Sequence, residues 1–481
     1  MQPAKNIYRD GNRRFKELTK NYALSEILIL AIEIGKYNSK GLITDMYGDV
    51  VLPEFEFANN QKGYEYLREQ IQNGTNKTKA KQLFIGMEGT GHYHENLAFQ
   101  LKTDGFSVDV LHPCDSKKER ENKNAKTDSI DLQSIARMLI KNSGRRSNLS
   151  QGIYNKLKMI SRNRRKLVQM RTSLKNKITA LVDQIFPGYW PKDAQEKIFS
   201  DHWGKASLLI LEYYPHPAQI QMLGVEKLVE FLKKHNTKLG QETAAALVDA
   251  AKNSLSRPSI DTDTHCLALK NLIKLFRTLS ENIETFEREM ARLLIQTPGI
   301  YLLSVPGLCV VFAAEFVAET GPFENFSHPG QIMSFAGLVP YVSQSALHDP
   351  QGLPLTKRGA KALRPLLNQI ALSLNAHCPQ FGNYYQKKHL QKSDRPGIAR
   401  IATANKFIRL AFCLIKKQKL FVPAGFDPCL NDLKQHHLST FETITNKLKR
   451  CDLKPADMLN LENNYFEKIK MHLEQTYGIK L

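Results

Sequence analysis

Four carboxylates in the first third of the chain occupy positions where an acid is either costly or purposeful. Glu33 lies inside the apolar run ILILAIEIGK (27–36), where a charge is expensive unless something pairs with it. Glu88 closes the strand-like KQLFIGME and precedes Gly-Thr-Gly, a turn that lets the backbone bend sharply beside it. Asp128 and Asp131 fall in AKTDSIDLQSIARML, and a spacing of three puts both on one face of a helix's first turn. Each has a plain reading. The two aspartates can cap a helix and complement its dipole. Glu88 can be a solvated strand end, and Glu33 can pair with Lys36 or a basic loop. Jointly they have a sharper one. Hard oxygens from a central strand, a neighbouring strand and a helix start suit two Mg²⁺ ions about 4 Å apart, clamping the oxygens of a phosphodiester.

A second constellation lies in FAGLVPYVSQSALHDPQGLPLTKRGAKALRPLLNQIAL (335–372). A polar loop carries Ser343 and Ser345, and Lys357, Arg358, Lys361 and Arg364 follow on an emerging helix. A serine attacking a phosphodiester needs cations on the non-bridging oxygens, which this cluster supplies. The plainer readings are a turn-forming serine and a set of phosphate contacts. His348 is a candidate proton acceptor, or simply a solvated loop residue.

These groups need a scaffold. Apolar strands read at 27–34, 41–46, 83–87 and 107–111, with helical patterns near 62–72, 92–102 and 128–141. MYGDV (46–50) suits a hairpin. The succession is compatible with a ribonuclease-H-like mixed α/β sheet over 23–148. A long helical connector (149–300) follows, with two heptad seams. The first runs through Leu157, Ile160, Arg164, Leu167, Arg171, Leu174, Ile178, Leu181 and Ile185 and ends before Pro187. The second runs from Leu269 to Leu293 and ends before Pro298. Such coiled-coil-grade helices either fold back on each other or pair between protomers; ordinary core-facing helices are the alternative. Arg164 and Arg171 on the seam argue that the first helix meets acid or phosphate. Residues 301–420 read as a second compact unit, mainly α-helical, and 421–481 as a polar, helix-leaning tail. In that unit LLSVPGLCVVFAAEFVAETG (302–321) has the shape of a helix-hairpin-helix, whose backbone N–H groups can hold a phosphate; a plain core hairpin fits as well.

Composition narrows the partner. The 481 residues carry 68 Lys+Arg against 47 Asp+Glu, a formal charge of +21, so a polyanion, nucleic acid first, is the natural partner. No apolar run approaches the roughly 18–20 residues of a membrane span. The basic N-terminal stretch 1–22 reads as an arm with no signal-peptide core behind it. Seven scattered cysteines without a CxxC pair favour reduced thiols and a cytoplasmic protein, associated with the nucleoid in use.

In order and spacing, AIEIGK, GMEGTGHY, HPCDSKK…KTDSIDLQSIA, SVPGL…AAEF, FAGLVP, QSA and TKRGAKALR resemble the motifs of the DEDD-type insertion-sequence transposases related to the Piv DNA invertase, a family that includes bridge-RNA-guided recombinases. The likeness is collinear over most of 27–420. It implies a RuvC-like, ribonuclease-H-fold domain, a coiled-coil connector and a transposase domain. It further implies a composite site in which Glu33, Glu88, Asp128 and Asp131 bind Mg²⁺ and Ser345 attacks DNA through a 5′-phosphoserine. Donor and target DNA, a structured guide RNA and a homo-oligomer, dimer or tetramer, are its implied partners. Three residues depart from the family pattern: Glu33 stands for the usual Asp, Ala346 for the glycine after the serine, and Cys309 for a second hairpin glycine. The competing expectations are a RuvC-like nuclease or junction resolvase using the acids alone, and a basic nucleic-acid scaffold without catalysis.

Overall fold

The computed structural model describes the chain except residues 1–19, 21, 90, 120–126, 144–151, 192–197, 238–239, 341–353, 358, 392–394, 424–429, 455, 458–463 and 480. Nearly all of the basic arm, together with Ser343, Ser345, Ala346, His348 and Arg358, lies outside the described residues. The chain forms two compact units, Met1–Leu149 and Ser150–Leu481.

The first unit is built on one five-stranded sheet: β1 (Ile27–Ile34), β2 (Asn38–Asp45), β3 (Val50–Ala58), β4 (Gln82–Glu88) and β5 (Ser107–Leu111). The spatial order is β3-β2-β1-β4-β5; β1–β2 and β2–β3 pair antiparallel, β1–β4 and β4–β5 parallel. β1 is central and covered on both faces, which is why its sequence is an unbroken apolar run rather than an alternating one. Helices α1 (Gln61–Thr78) and α2 (His94–Thr103) cover one face, where Tyr64, Leu67, Ala98 and Leu101 pack with Leu28, Leu30 and Ile32. α3 (Pro113–Glu119) precedes α4 (Asp128–Ile140). α4 covers the other face, where Leu132, Ile135 and Leu139 pack with Ile27, Ile29, Ala31 and Phe84. The MYGDV hairpin joins β2 to β3: Asp45 Oδ1 accepts from the N–H groups of Tyr47 and Asp49, each at 2.9 Å, and Gly48 takes φ +96°. β2 begins at Asn38, three residues before the expected start. Asn38-Ser-Lys is too polar to read as a strand, yet Lys40 and Ser39 pair directly with Glu33 and Ile34.

The second unit is helical. α5 (Gly152–Ile185) and α9 (Asp263–Leu294) pack along much of their length. Leu157 shares a core with Met290 and Leu294, and Leu174, Ile178 and Val182 share another with Leu269, Ile273 and Phe276. The two helices therefore run antiparallel within one chain, so of the two expected arrangements the seams fold back on each other. α6 (Lys205–Tyr213), α7 (Pro217–Lys234) and α8 (Gln241–Lys252) complete the second of these cores. The first core gathers α10 (Val310–Thr320), α11 (Pro329–Ala336), α12 (Leu363–His377), α13 (Pro379–Gln391) and α14 (Pro396–Lys417). It also takes Phe441, Ile444 and Leu448 of α15 (Leu430–Lys449) and Phe466, Ile469 and Leu473 of α16 (Tyr465–Tyr477). The C-terminal helices are thus integral to that core. Lys447 of α15 donates to the carbonyls of Leu303 and Val305 at 2.7 and 3.2 Å, bracing the approach to the Pro-Gly turn.

One glycine fixes the distance between α4 and the sheet. A Cβ on Gly86 of β4 would lie 2.5 Å from Leu139 Cδ1. Gly86→Ala is expected to destabilise the first unit by about 1–3 kcal/mol through overpacking, read as a lower denaturation midpoint. Adding Leu139→Val should recover part of the loss.

Candidate active site

Alternation along the strands brings the acids together. On β1 the residues facing α4 are Ile27, Ile29 and Ala31, and the same parity carries Glu33. On β4, Phe84 and Gly86 face α4, so Glu88 does as well. β1 and β4 run parallel with Ile32 opposite Met87, which puts Glu33 and Glu88 side by side at the C-terminal ends of two neighbouring strands. Gly89 holds the end of β4 against β5 through its N–H to Leu111 O at 3.0 Å.

α4 brings the aspartates. Its N-cap is Thr127, whose hydroxyl accepts from Ile130 N at 3.3 Å. The cap of this helix is therefore a threonine, and neither Asp128 nor Asp131 is needed for it. Asp131 is buried, 3% exposed, on the face that packs on the sheet, whereas Asp128 lies at the open edge of the site.

The electrostatics follow from this convergence. Burial pushes the Glu33 carboxyl up to about 7, and the charges of Asp128, Asp131 and Glu88 push the same way, against Lys40. Glu33 Oε2 is buried without a hydrogen-bond partner among the described residues. Lys36, one of the alternatives for pairing Glu33, lies instead over the ring of Tyr37 at 4.9 Å. The cation facing Glu33 is Lys40, directly opposite on β2. Its ammonium donates to Asp128 Oδ2 at 2.7 Å, and that bond raises the Lys40 pKa above its ordinary value. Lys40 is not singled out by its own neighbours in sequence; counting outward from the Gly35-Lys36-Tyr37 turn in hairpin register places it opposite Glu33.

As a metal site the donor set has the right chemistry: four hard carboxylates, one with an unsatisfied buried oxygen. Among the described residues, no three His, Cys, Asp or Glu side chains stand close enough together to cage an ion. Lys40 sits on Asp128 where a cation would otherwise be attracted.

In the second unit, the described residues on either side of 341–353 are tied to one another. Pro340 and Leu355 form a bridge, Thr356 N donates to Val339 O at 3.0 Å, and Ala360 N donates to Phe335 O at 2.8 Å. Gly359, at φ +144°, passes so close to this turn that a Cβ would lie 2.1 Å from Phe335 O. Lys357 and Lys361 are exposed, and Arg364 donates to Ala336 O at 3.3 Å. Arg164 meets acid rather than waiting for phosphate: Nε donates to Glu287 at 2.7 Å and Nη1 to Glu315 at 3.3 Å. Arg165 joins Glu315 at 2.7 Å, and Arg162 holds Glu319 through two hydrogen bonds of 2.8 and 2.9 Å. Arg171 is half-buried on α5.

The mixed sheet with a mostly helical remainder is consistent with a DEDD, RuvC-like transposase. Residues 30–187 match the DEDD transposases of the IS110 type, and residues 300–386 match the transposase IS116/IS110/IS902 family. Both matches are to transposases of the IS110 group, and together they take in about half of the chain. It is 25% identical over 286 residues to the 44.8 kDa protein of insertion element IS116 from Streptomyces clavuligerus, covering 56% of this chain and 65% of that protein. It is 23% identical over 272 residues to the 43.6 kDa protein of insertion element IS110 from Streptomyces coelicolor, covering 53% and 62%. It is 22% identical over 235 residues to the 42 kDa protein of insertion element IS900 from Mycobacterium paratuberculosis, covering 48% and 58%. The chain thus spans somewhat under two thirds of the length of these relatives. No described helix is long and apolar enough to cross a membrane.

Two predictions follow from the acids. The folded-state pKa of Glu33 stands above its ordinary value of 4.5, so without metal its contribution is most favourable below that value and is lost as pH rises through about 7. In EDTA, Glu33→Gln should therefore be the more stable form at pH 8, by on the order of 1–2 kcal/mol after discounting for residual hydration. That advantage should vanish by pH 5 in thermal unfolding. Lys40→Met removes the built-in cation and should tighten Mg²⁺ binding roughly three- to tenfold, measured by calorimetric titration.

Proposed function

We propose that this chain is the transposase of an insertion sequence, cutting and rejoining DNA with a metal-binding acidic site and a serine nucleophile. The observation that carries this reading is the placement of Glu33 and Glu88 side by side at the ends of two neighbouring strands with Asp128 and Asp131 on the first turn of α4, one Glu33 oxygen being buried without a hydrogen-bond partner among the described residues. These four residues would hold the divalent metal, typically Mg²⁺ and in a two-ion arrangement. When bound, the metal supplies charge neutralisation and Lewis-acid polarisation at the scissile phosphate.

The residues of the chain have distinct tasks. Ser345 Oγ bonds to phosphorus and displaces the 3′ oxygen, leaving a 5′-phosphoserine and a 3′-hydroxyl. A 3′-hydroxyl of the exchanging strand then attacks the phosphoserine and releases the serine. Lys357, Arg358, Lys361 and Arg364 hold non-bridging oxygens and keep the phosphate oriented toward the serine. The exposure of Lys357 and Lys361 supports that role; Arg364 also braces the start of α12 through Ala336 O. Arg171 contributes a backbone contact, whereas the internal ion pairs of Arg164 favour a structural role. Donor and target DNA, a structured RNA that specifies them, and an assembly of two or four chains complete the reading. The net charge of +21 supports polyanionic partners.

Strand cleavage and joining on supercoiled DNA test the proposal. Asp131→Asn and Ser345→Ala should each lower both activities by about a hundredfold or more. If Ser345→Ala still cleaves while Asp131→Asn does not, the chain is a metal-dependent nuclease or resolvase without serine chemistry. If neither substitution changes the outcome and no metal dependence is found, the acids are structural.

A further inference from the structure

The opposite face of the same sheet holds a cavity of about 400 Å³ that the acidic site does not use. Its lining includes Lys36, Tyr64, His92, Tyr93, Asn96 and Gln100 and contains no aspartate or glutamate. Three chain segments make it: the residues leaving β1, the passage from β3 into α1, and the start of α2.

Some of the wall is committed to structure. Tyr64 donates its hydroxyl to Asp104 Oδ2 at 2.8 Å. Asn59 donates to Gly35 O at 2.8 Å and accepts from the Ser39 hydroxyl at 2.7 Å. Asn60 caps α1 through Gly63 N at 2.9 Å. The rest is available. Tyr93 is 38% exposed, and the His92 and Tyr93 rings lie 4.4 Å apart at 38°. Lys36 has no acidic partner among the described residues, and it lies over Tyr37, which is 74% exposed.

Exposed rings, unpaired carboxamides and one cation, with no opposing acid, are what an unpaired nucleotide needs. A base stacks on the aromatic face, its edge pairs with amide groups, and its phosphate meets the ammonium. Volume agrees, since ligand cavities begin at about 300 Å³. Lys36 follows Glu33 by three residues, so the cavity mouth lies within about 10 Å of the acidic site along the backbone, a span of a few nucleotides.

We propose that this cavity binds an unpaired nucleotide of the strand whose backbone lies at the carboxylates, with Tyr93 as the stacking platform, Lys36 on the phosphate, and Asn96 and Gln100 on the base edge. The proposal rests on the DNA-processing reading above and adds a substrate subsite to it.

The test is binding in EDTA, where no cleavage intrudes, using fluorescein-labelled single-stranded DNA, single-stranded RNA and duplex DNA of equal length with the full chain. Tyr93→Ala and Lys36→Ala should each weaken single-strand binding about tenfold, as expected for loss of one stacked base or one phosphate contact. Tyr93→Phe should retain it, and duplex binding should change less than twofold. A loss confined to DNA supports the substrate strand as the source of the nucleotide, and a loss confined to RNA overturns that assignment in favour of a guide. Photocross-linking with 5-iodouracil-substituted strands should label the peptide containing His92 and Tyr93. Unchanged single-strand affinity in both alanine variants, or cross-links found only elsewhere, overturns the proposal. Pocket-dependent binding in a chain whose strand transfer is indifferent to Asp131→Asn would retain the subsite and remove the catalytic reading.

Discussion

The constraint on which the first unit turns is the placement of like charges at the edge of an apolar sheet. Glu33 stands near the end of a strand buried on both faces, and its neighbours on the same side include Glu88, Asp128 and Asp131. Lys40 answers part of that charge, but burial and the other acids outweigh it, and one Glu33 oxygen is left without a donor. An arrangement of this kind has a reason when a cation completes it. The surrounding structure serves the placement: the parallel pairing of β1 and β4 sets two acids side by side, Thr127 starts α4 so that two more arrive on its first turn, and Gly86 lets that helix approach closely.

The second unit treats buried acids in the opposite way. Glu315 and Glu319 on α10 are each 4% exposed, and each is met by arginine: Arg164 and Arg165 on the first, Arg162 on the second. Charged hydrogen bonds of this geometry satisfy the carboxylate oxygens and tie α5 to the core. The two units thus hold their buried acids in different electrostatic surroundings. In α10 the cation comes from the protein; in the sheet one Glu33 oxygen has no hydrogen-bond partner among the described residues.

Much of this was legible in the sequence, and the misses have physical causes. The run 27–34 read as a buried strand because both its faces are apolar, and the DSID spacing read as a helix start because helical periodicity is local. The same locality hid the polar start of β2, and with it Lys40, whose importance depends on register rather than on its own neighbours in sequence. The seam arginines announced a charged contact, but sequence could not say whether acid or phosphate; Glu287 and Glu315 supply the acid for Arg164. Residues 421–481 looked like a polar tail because their apolar positions are spread over two helices, and only packing reveals Phe441, Ile444, Phe466 and Leu473 as one surface. The capping alternative for Asp128 and Asp131 fails because Thr127, immediately before them, is the N-cap of α4.

The central claim is that the sheet acids form a cation site, and metal-dependent stabilisation tests it most directly. Thermal unfolding of the full chain at pH 7.5 should shift upward by a few degrees on addition of Mg²⁺ or Mn²⁺ at about ten times the dissociation constant. The shift should disappear in both Glu33→Gln and Asp131→Asn. A chain that gains no stability from either ion, or whose gain survives both substitutions, would contradict the account.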